Sequence, residues 1–132
     1  TELDVDDIKT LINGLKIAGS YKYIIIDAEL SLGEKSIELM ENSNKIVFVS
    51  DGSKISNSKW LRLQEALEVI EKRQGKTILS KVLMLYNKFS DKTSSILKND
   101  AIQILGGAPR FKNGGIKQIV SEISNMKFFD NF

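Results

Sequence analysis

Residues 23–27 read Tyr-Ile-Ile-Ile-Asp, an uninterrupted apolar run that stops at a carboxylate. A strand buried on both faces of a parallel sheet is apolar throughout, and ligands of open α/β sheets bind beyond the carboxyl ends of the strands. The run therefore predicts a buried parallel strand that presents Asp27 to a ligand crevice. The alternative is a turn or helix-capping aspartate after a strand. We favour the ligand role because of the neighbouring residues.

The composition excludes several classes of protein. A chain of 132 residues with 42% hydrophobic residues is expected to form one globular domain, residues 1–132, with its own core. A net charge of +2 gives no argument for a nucleic-acid or membrane partner. Without cysteine or histidine, disulfides, thiol nucleophiles, Ser-His-Asp triads and zinc sites built from these ligands are excluded, whereas a cation bound by oxygen stays possible.

The sequence contains no apolar run long enough to span a membrane and no secretory leader. We therefore expect a cytoplasmic protein with no transmembrane segment. Because the first residue is Thr1 rather than methionine, we also expect a piece of a longer protein.

Helical and strand patterns alternate along the chain. Helices are predicted from Asp4 to near Gly14 or Gly19, at 34–41, from Asn57 or Ser58 to Gly75, at 94–98 and around 116–123. Strands are predicted at 23–27, 46–49, 82–86 and 102–105. This alternation predicts an α/β fold with a mostly parallel sheet between two layers of helices.

The carboxyl ends of parallel strands meet at one edge of a sheet, so the residues that follow the strands are candidates for a shared site. Asp27 there suits Mg²⁺ and, through it, nucleotide phosphates. The Asn87 amide can form hydrogen bonds with the edge of a purine base. The alternative is that Asn87 is a turn residue. Pro109, after two glycines, lets the backbone approach a flat ring.

Other polar and aromatic residues have simpler interpretations. Ser50, Asp51 and Ser53 are interpreted as turn and cap residues rather than ligands. Trp60 is interpreted as a core or subunit-contact residue. The Phe-rich end, residues 126–132, is expected to dock onto its own sheet rather than to anchor the chain to a membrane.

The chain resembles the carboxyl-terminal half of MinD/ParA-type (deviant Walker) P-loop ATPases, particularly their pilus-assembly and localisation branch. The resemblance rests on the order of residues 21–27, 32–34, 45–49, 82–89 and 105–111. It implies that Asp27 is the Walker B acid that holds Mg²⁺, and that Asn87, Pro109 and Arg110 contact the adenine of ATP. It also implies a nucleotide-dependent homodimer that positions or partitions a cellular component.

The phosphate loop that defines this family is absent from the sequence. The lookalike Gly75-Lys76-Thr77 is rejected, because Ile70 stands where the motif needs glycine and a helical pattern precedes it. An upstream phosphate-loop segment of the same protein is therefore the expected partner, and the chain alone is expected to be inactive. The altered sequence after Asp27 leaves a noncatalytic interaction or regulatory module as the alternative. A receiver domain is disfavoured because no second acid accompanies Asp27.

Overall fold

The computed structural model describes residues 4–98, 102–109 and 115–125, and helices and strands occupy most of these residues. Contacts divide the chain into two units, one up to Ser43 and one from Asn44 onwards. The first contains two helices, and the second contains the sheet and the remaining helices. The expectation of a single domain stays a prediction, and the units are described separately.

Helix α1, Val5–Ala18, begins and ends as its sequence predicts. Asp4 and Asp7 form a capping box, in which the Asp7 N–H donates to Asp4 Oδ1 at 2.8 Å and the Asp4 N–H donates to Asp7 Oδ2 at 3.1 Å. Gly19 ends the helix in the left-handed conformation, with φ of 62°. The first predicted helix is therefore confirmed.

Helix α2, Glu34–Asn42, confirms the prediction for residues 34–41. The buried side chains of the two helices are Ile12 on α1 and Ile37 on α2. The Lys9 Nζ atom lies 3.1 Å from Glu38 Oε1 and joins the helices by an ion pair. Because the Lys9 side chain is 44% exposed, the pair contributes about 0–1 kcal/mol.

The predicted strand at residues 23–27 is wrong: this segment is neither helix nor strand. Every side chain from 21 to 32 is exposed, and Ile25 retains 91% of its accessible surface. A strand exists only when its backbone groups pair with another strand. Among the described residues, none pairs with this segment, so its high β propensity alone does not make it a strand.

The second unit contains three parallel strands in the order β1-β2-β3. They are β1 Ile46–Ser50, β2 Val82–Phe89 and β3 Gln103–Pro109. The three corresponding strand predictions are confirmed, and β2 and β3 run further than expected. The combination of helices with a parallel sheet is compatible with the predicted α/β class. The arrangement of the sheet between two layers of helices, as in a P-loop fold, stays a prediction.

Helix α3, Lys54–Gln74, packs on the sheet through Trp60. The Trp60 ring lies 4.8 Å from the Phe48 ring between centroids and is 1% exposed, which confirms Trp60 as a core residue. The helix begins earlier than Asn57 because Ser53 caps it, accepting a hydrogen bond from the Ser56 N–H at 3.2 Å. It ends at Gly75, as predicted.

The remaining elements are a single 3₁₀ turn, Leu79–Lys81, and helix α4, Ile116–Asn125, which confirms the last predicted helix. The short helix expected at 94–98 does not form, because Ser94 makes an antiparallel bridge with Ser53. Tertiary pairing here overrides the local pattern. Within the described ranges, no helix has both the length and the apolar character needed to cross a membrane.

Candidate functional site at the carboxyl ends of the strands

The three parallel strands end at a common edge. Ser50 of β1 pairs with Tyr86 of β2, which pairs in turn with Gly107 of β3. Beyond this row, Asn87 is exposed, and Phe89 pairs with Pro109 on the neighbouring strand. The predicted convergence is therefore confirmed for these three strands, and the structure places Asn87 and Pro109 on adjacent strands.

The backbone at this edge departs from regular pairing. The register between β2 and β3 shifts between Met84 and Leu85 and again between Tyr86 and Phe89. Lys88 has a φ of 57°, a left-handed conformation that is uncommon outside glycine, asparagine and aspartate. The Asn87 side chain is exposed and has no hydrogen-bond partner among the described residues, so its amide is accessible to a ligand.

The loop after β1 is closed by its own side chains, which confirms the interpretation of these residues as turn and cap residues. The Ser50 hydroxyl accepts from the Gly52 N–H at 3.1 Å. Asp51 Oδ1 accepts from the Ser53 N–H at 2.9 Å and from the Ser56 hydroxyl at 2.6 Å. The first turn of α3 therefore already has a carboxylate as its hydrogen-bond acceptor.

These hydrogen bonds stabilise the charged form of Asp51. The Ser56 hydroxyl, followed by the Ser53 backbone and side chain, lowers the pKa of Asp51 from 3.8 to about 2. The carboxylate is thus ionised at neutral pH, at the positive end of the α3 dipole. A phosphate bound to the same helix terminus would meet this negative charge, which disfavours its binding.

A set of hydrogen bonds joins the loop after β1 to the loop after β2, and we call it the loop clasp. It consists of Asp51, Gly52, Asn57, Ser94 and Ser95. Asn57 Nδ2 donates to the Ser95 carbonyl at 2.9 Å and lies 3.1 Å from Ser95 Oγ and 3.3 Å from the Gly52 carbonyl. The Ser94 hydroxyl donates to the Asp51 carbonyl at 2.7 Å, and the Ser95 N–H donates to the Gly52 carbonyl at 2.8 Å.

The clasp is packed closely as well as hydrogen-bonded. Gly52 has a φ of 70°, and a Cβ atom there would lie 3.0 Å from Phe89 Cε2. In the loop after β2, the Leu97 N–H donates to the Tyr86 hydroxyl at 2.9 Å. This loop is therefore bonded both to the loop after β1 and to strand β2.

Sequence reasoning missed Asn57, which is 8% exposed and sits in the second turn of α3. Its Oδ1 atom is buried, and no described residue donates a hydrogen bond to it. An asparagine shortly after a Gly-Ser turn is a weak signal, because the same pattern occurs at many helix starts. Its partner Ser95 lies 38 residues further along the chain, and no local sequence pattern predicts a hydrogen bond over that separation.

Asp27 lies in the first unit, on the exposed segment between α1 and α2, with no hydrogen bond among the described residues. In the part of the chain that the structure describes, no three acidic side chains come together as a metal site would require. A single carboxylate can still serve Mg²⁺ when phosphates supply further ligands. The metal role of Asp27 stays a prediction, and Arg110 and residues 126–132 lie outside the described residues.

Comparison with protein-family models gives no match to this chain, and comparison with curated proteins gives none either.

Proposed function

We propose that the chain is the carboxyl-terminal half of a MinD/ParA-like ATPase, which uses ATP-dependent dimerisation to position or partition a cellular component. The observation that carries the proposal is the common edge of three parallel strands, with Asn87 accessible and Pro109 on the adjacent strand. In this class of sheet, ligands bind beyond the carboxyl ends of the strands. The Asn87 amide has both a donor and an acceptor for the edge of adenine.

The proposed chemistry divides between this chain and an upstream segment of the same protein. Asp27 orients Mg²⁺, and Asn87, Pro109 and Arg110 contact the base. The upstream segment supplies the phosphate loop, because residues 1–132 contain no Gly-rich phosphate-loop motif. Hydrolysis in the dimer then removes the γ-phosphate contacts that favour one arrangement of the two subunits. Alone, the chain does not hydrolyse ATP.

Calorimetry of ATP binding with Mg²⁺ tests this division. In the longer protein, Asp27→Ala and Asn87→Ala each weaken binding, because each removes a ligand contact. Matched controls are Glu29→Ala, an exposed acid close to Asp27, and Asn44→Ala, an exposed asparagine outside the strand-end edge. The isolated chain binds no nucleotide. Tight binding by the isolated chain, or unchanged affinity in both site variants, contradicts the proposal.

A second test uses the exposed run at residues 23–27. Ile25 is 91% exposed, so Ile25→Lys leaves the stability of this chain unchanged within about 0.5 kcal/mol. If the upstream segment covers this run in the longer protein, an unpaired lysine there costs several kcal/mol. Urea unfolding of both proteins measures the difference. Equal tolerance in both shows that the run stays exposed.

The second candidate is a noncatalytic interaction or regulatory module that keeps the sheet without ATP hydrolysis. Two observations favour it: among the described residues Asp27 belongs to no cluster of three or more acidic side chains, and the loop after β1 is closed by the chain's own hydrogen bonds. The residues encoded upstream of Thr1 discriminate between the candidates. A strand followed by a Gly-rich loop with lysine supports the ATPase, whereas a start codon directly before Thr1 supports the module.

A further inference from the structure

Two polar atoms lie in the core of the second unit, and no described residue forms a hydrogen bond with either of them. They are Asn57 Oδ1, which is an acceptor, and Trp60 Nε1, whose N–H is a donor. Both side chains are more than nine-tenths buried. Because an unpaired buried polar group is costly, native proteins pair almost all such groups with protein atoms or with ordered water. The two atoms therefore indicate a further group in contact with them.

The orientation of the Asn57 amide is determined by its other contacts. Its Nδ2 atom donates to the carbonyl oxygens of Gly52 and Ser95, at 3.3 Å and 2.9 Å. Reversing the amide would place Oδ1 against these two carbonyl oxygens, neither of which can donate a hydrogen bond. Oδ1 therefore points away from both carbonyl groups and needs a donor from elsewhere.

A third polar group lies on the face of β1 that is directed at α3. Phe48 contacts the Trp60 ring, and side chains two residues apart on a strand lie on the same face, so Ser50 is also directed at α3. Ser50 is 5% exposed. Its oxygen accepts from the Gly52 N–H, which leaves the hydroxyl hydrogen available for another acceptor. Two donors and one acceptor are therefore directed into the space between β1 and α3.

We propose that one buried water molecule lies between β1 and α3 and bridges Trp60 to Asn57. The water accepts from the Trp60 indole N–H and from the Ser50 hydroxyl, and it donates to Asn57 Oδ1. Asn57 and Trp60 are three residues apart on α3, so both lie on one face of the helix. Buried waters typically make about three hydrogen bonds, as this one does. Neither a cation nor an anion suits the set, because the indole N–H only donates and Oδ1 only accepts.

The water extends the loop clasp into the core. Through its nitrogen, Asn57 binds the loops after β1 and β2, and through its oxygen and the water it joins α3 to Ser50 at the end of β1. One side chain thus connects both loops, the helix and the strand. The inference goes beyond the proposed function and is independent of it, since the water binds without nucleotide.

Nuclear magnetic resonance of the whole chain tests the proposal through Trp60, whose indole N–H is the only one in the sequence. A water-selective experiment is expected to give a cross-peak between water and this proton, with opposite signs in its NOE and ROE versions. The change of sign identifies a water held by the protein and excludes hydrogen exchange with the solvent. Cross-peaks from the indole N–H to protein protons alone, or a water cross-peak with the same sign in both versions, overturn the proposal.

Three variants identify the groups that hold the water. Asn57→Leu keeps the approximate size of the side chain but removes the acceptor, so the cross-peak between water and the indole N–H is lost. Ser58→Leu, the same replacement at the next, exposed position, leaves the cross-peak intact. Ser50→Ala also leaves it intact, because the indole and the amide still hold the water.

Two outcomes in these variants overturn the proposal. A cross-peak that survives in Asn57→Leu shows that the water at the indole does not depend on Asn57. A cross-peak that disappears in Ser50→Ala assigns the signal to the serine hydroxyl. Dispersed amide resonances establish that each variant folds. If Asn57→Leu does not fold, the side-chain amide protons of Asn57 in the unmodified chain decide, because a bridging water gives them the same cross-peak and its absence overturns the proposal.

Discussion

Replacement of Asn57 is the most direct test of the loop clasp, because this side chain connects α3 to the loops after β1 and β2. Its Nδ2 atom has two hydrogens, and each net hydrogen bond contributes about 1 kcal/mol, so their loss costs about 2 kcal/mol. Alanine also removes the buried Oδ1 atom, to which no described residue donates, and improves helix propensity by about 0.6 kcal/mol. We therefore expect Asn57→Ala to lower the free energy of unfolding by only about 1 kcal/mol.

Aspartate at the same position is expected to cost more than alanine, although it has almost the same shape as asparagine. It places a carboxylate oxygen against the carbonyl oxygens of Gly52 and Ser95 at a site that is 8% exposed. An unpaired charge buried in this way costs about 3 kcal/mol or more at pH 7. Because burial raises the pKa of the introduced carboxyl, Asn57→Asp loses stability as the pH rises above about 4.

Tryptophan fluorescence measures these effects in urea unfolding. Trp60 is the chain's one tryptophan, is 1% exposed and lies on the same helix as Asn57, so its emission reports the second unit. The control is Ser58→Asp, which adds the same charge at the next, exposed position near the start of α3 and is neutral or slightly stabilising. Equal costs for Asn57→Asp and Asn57→Ala, or an equal cost for Ser58→Asp, refute the reasoning.

Three further predictions use the same fluorescence readout. Gly52→Ala and Gly75→Ala both place a side chain at positive φ, but only Gly52 has a close neighbour, Phe89, so its replacement costs about 1–2 kcal/mol more; equal costs contradict this. The pKa of Asp51, about 2, lies below its ordinary 3.8, so its stabilisation is present above about pH 4 and is lost as the pH falls towards 2. In Asp51→Asn, the free energy of unfolding therefore changes less between pH 4 and pH 2. An unchanged pH dependence contradicts the role of Asp51. Glu71→Ala lowers stability by about 2 kcal/mol, because the carboxylate accepts two backbone N–H groups at the 3₁₀ turn; faster hydrogen exchange of those two amides checks it.

Elements with local determinants could be predicted from the sequence. The capping box at Asp4 and the glycines at 19 and 75 fix helix ends through backbone conformation and hydrogen bonds within one turn. Strands β1 and β2 were predicted from their apolar runs, and the two pair with each other in unbroken parallel register. Cap and turn roles for Ser50, Asp51 and Ser53 were also predictable, since these bonds span few residues.

Elements with distant determinants could not be predicted. Residues 94–98 have a helical pattern, but Ser94 and Ser95 bond to the loop after β1. The role of Asn57 depends on Ser95, and neither residue has a distinctive neighbourhood in the sequence. The parallel order of the strands predicted that Asn87 and Pro109 lie at the same edge of the sheet, but register shifts decide the pairing, and Phe89 rather than Asn87 pairs with Pro109.

Residues 23–27 show why strand formation is not a local property. Ile25 keeps 91% of its surface exposed, although tyrosine and isoleucine both have high β propensity. An exposed run of this kind favours aggregation unless a partner covers it. Ile25→Lys in the longer protein decides whether such a partner is present. A loss of several kcal/mol of stability shows that residues 23–27 are buried there, and an unchanged stability shows that they stay exposed.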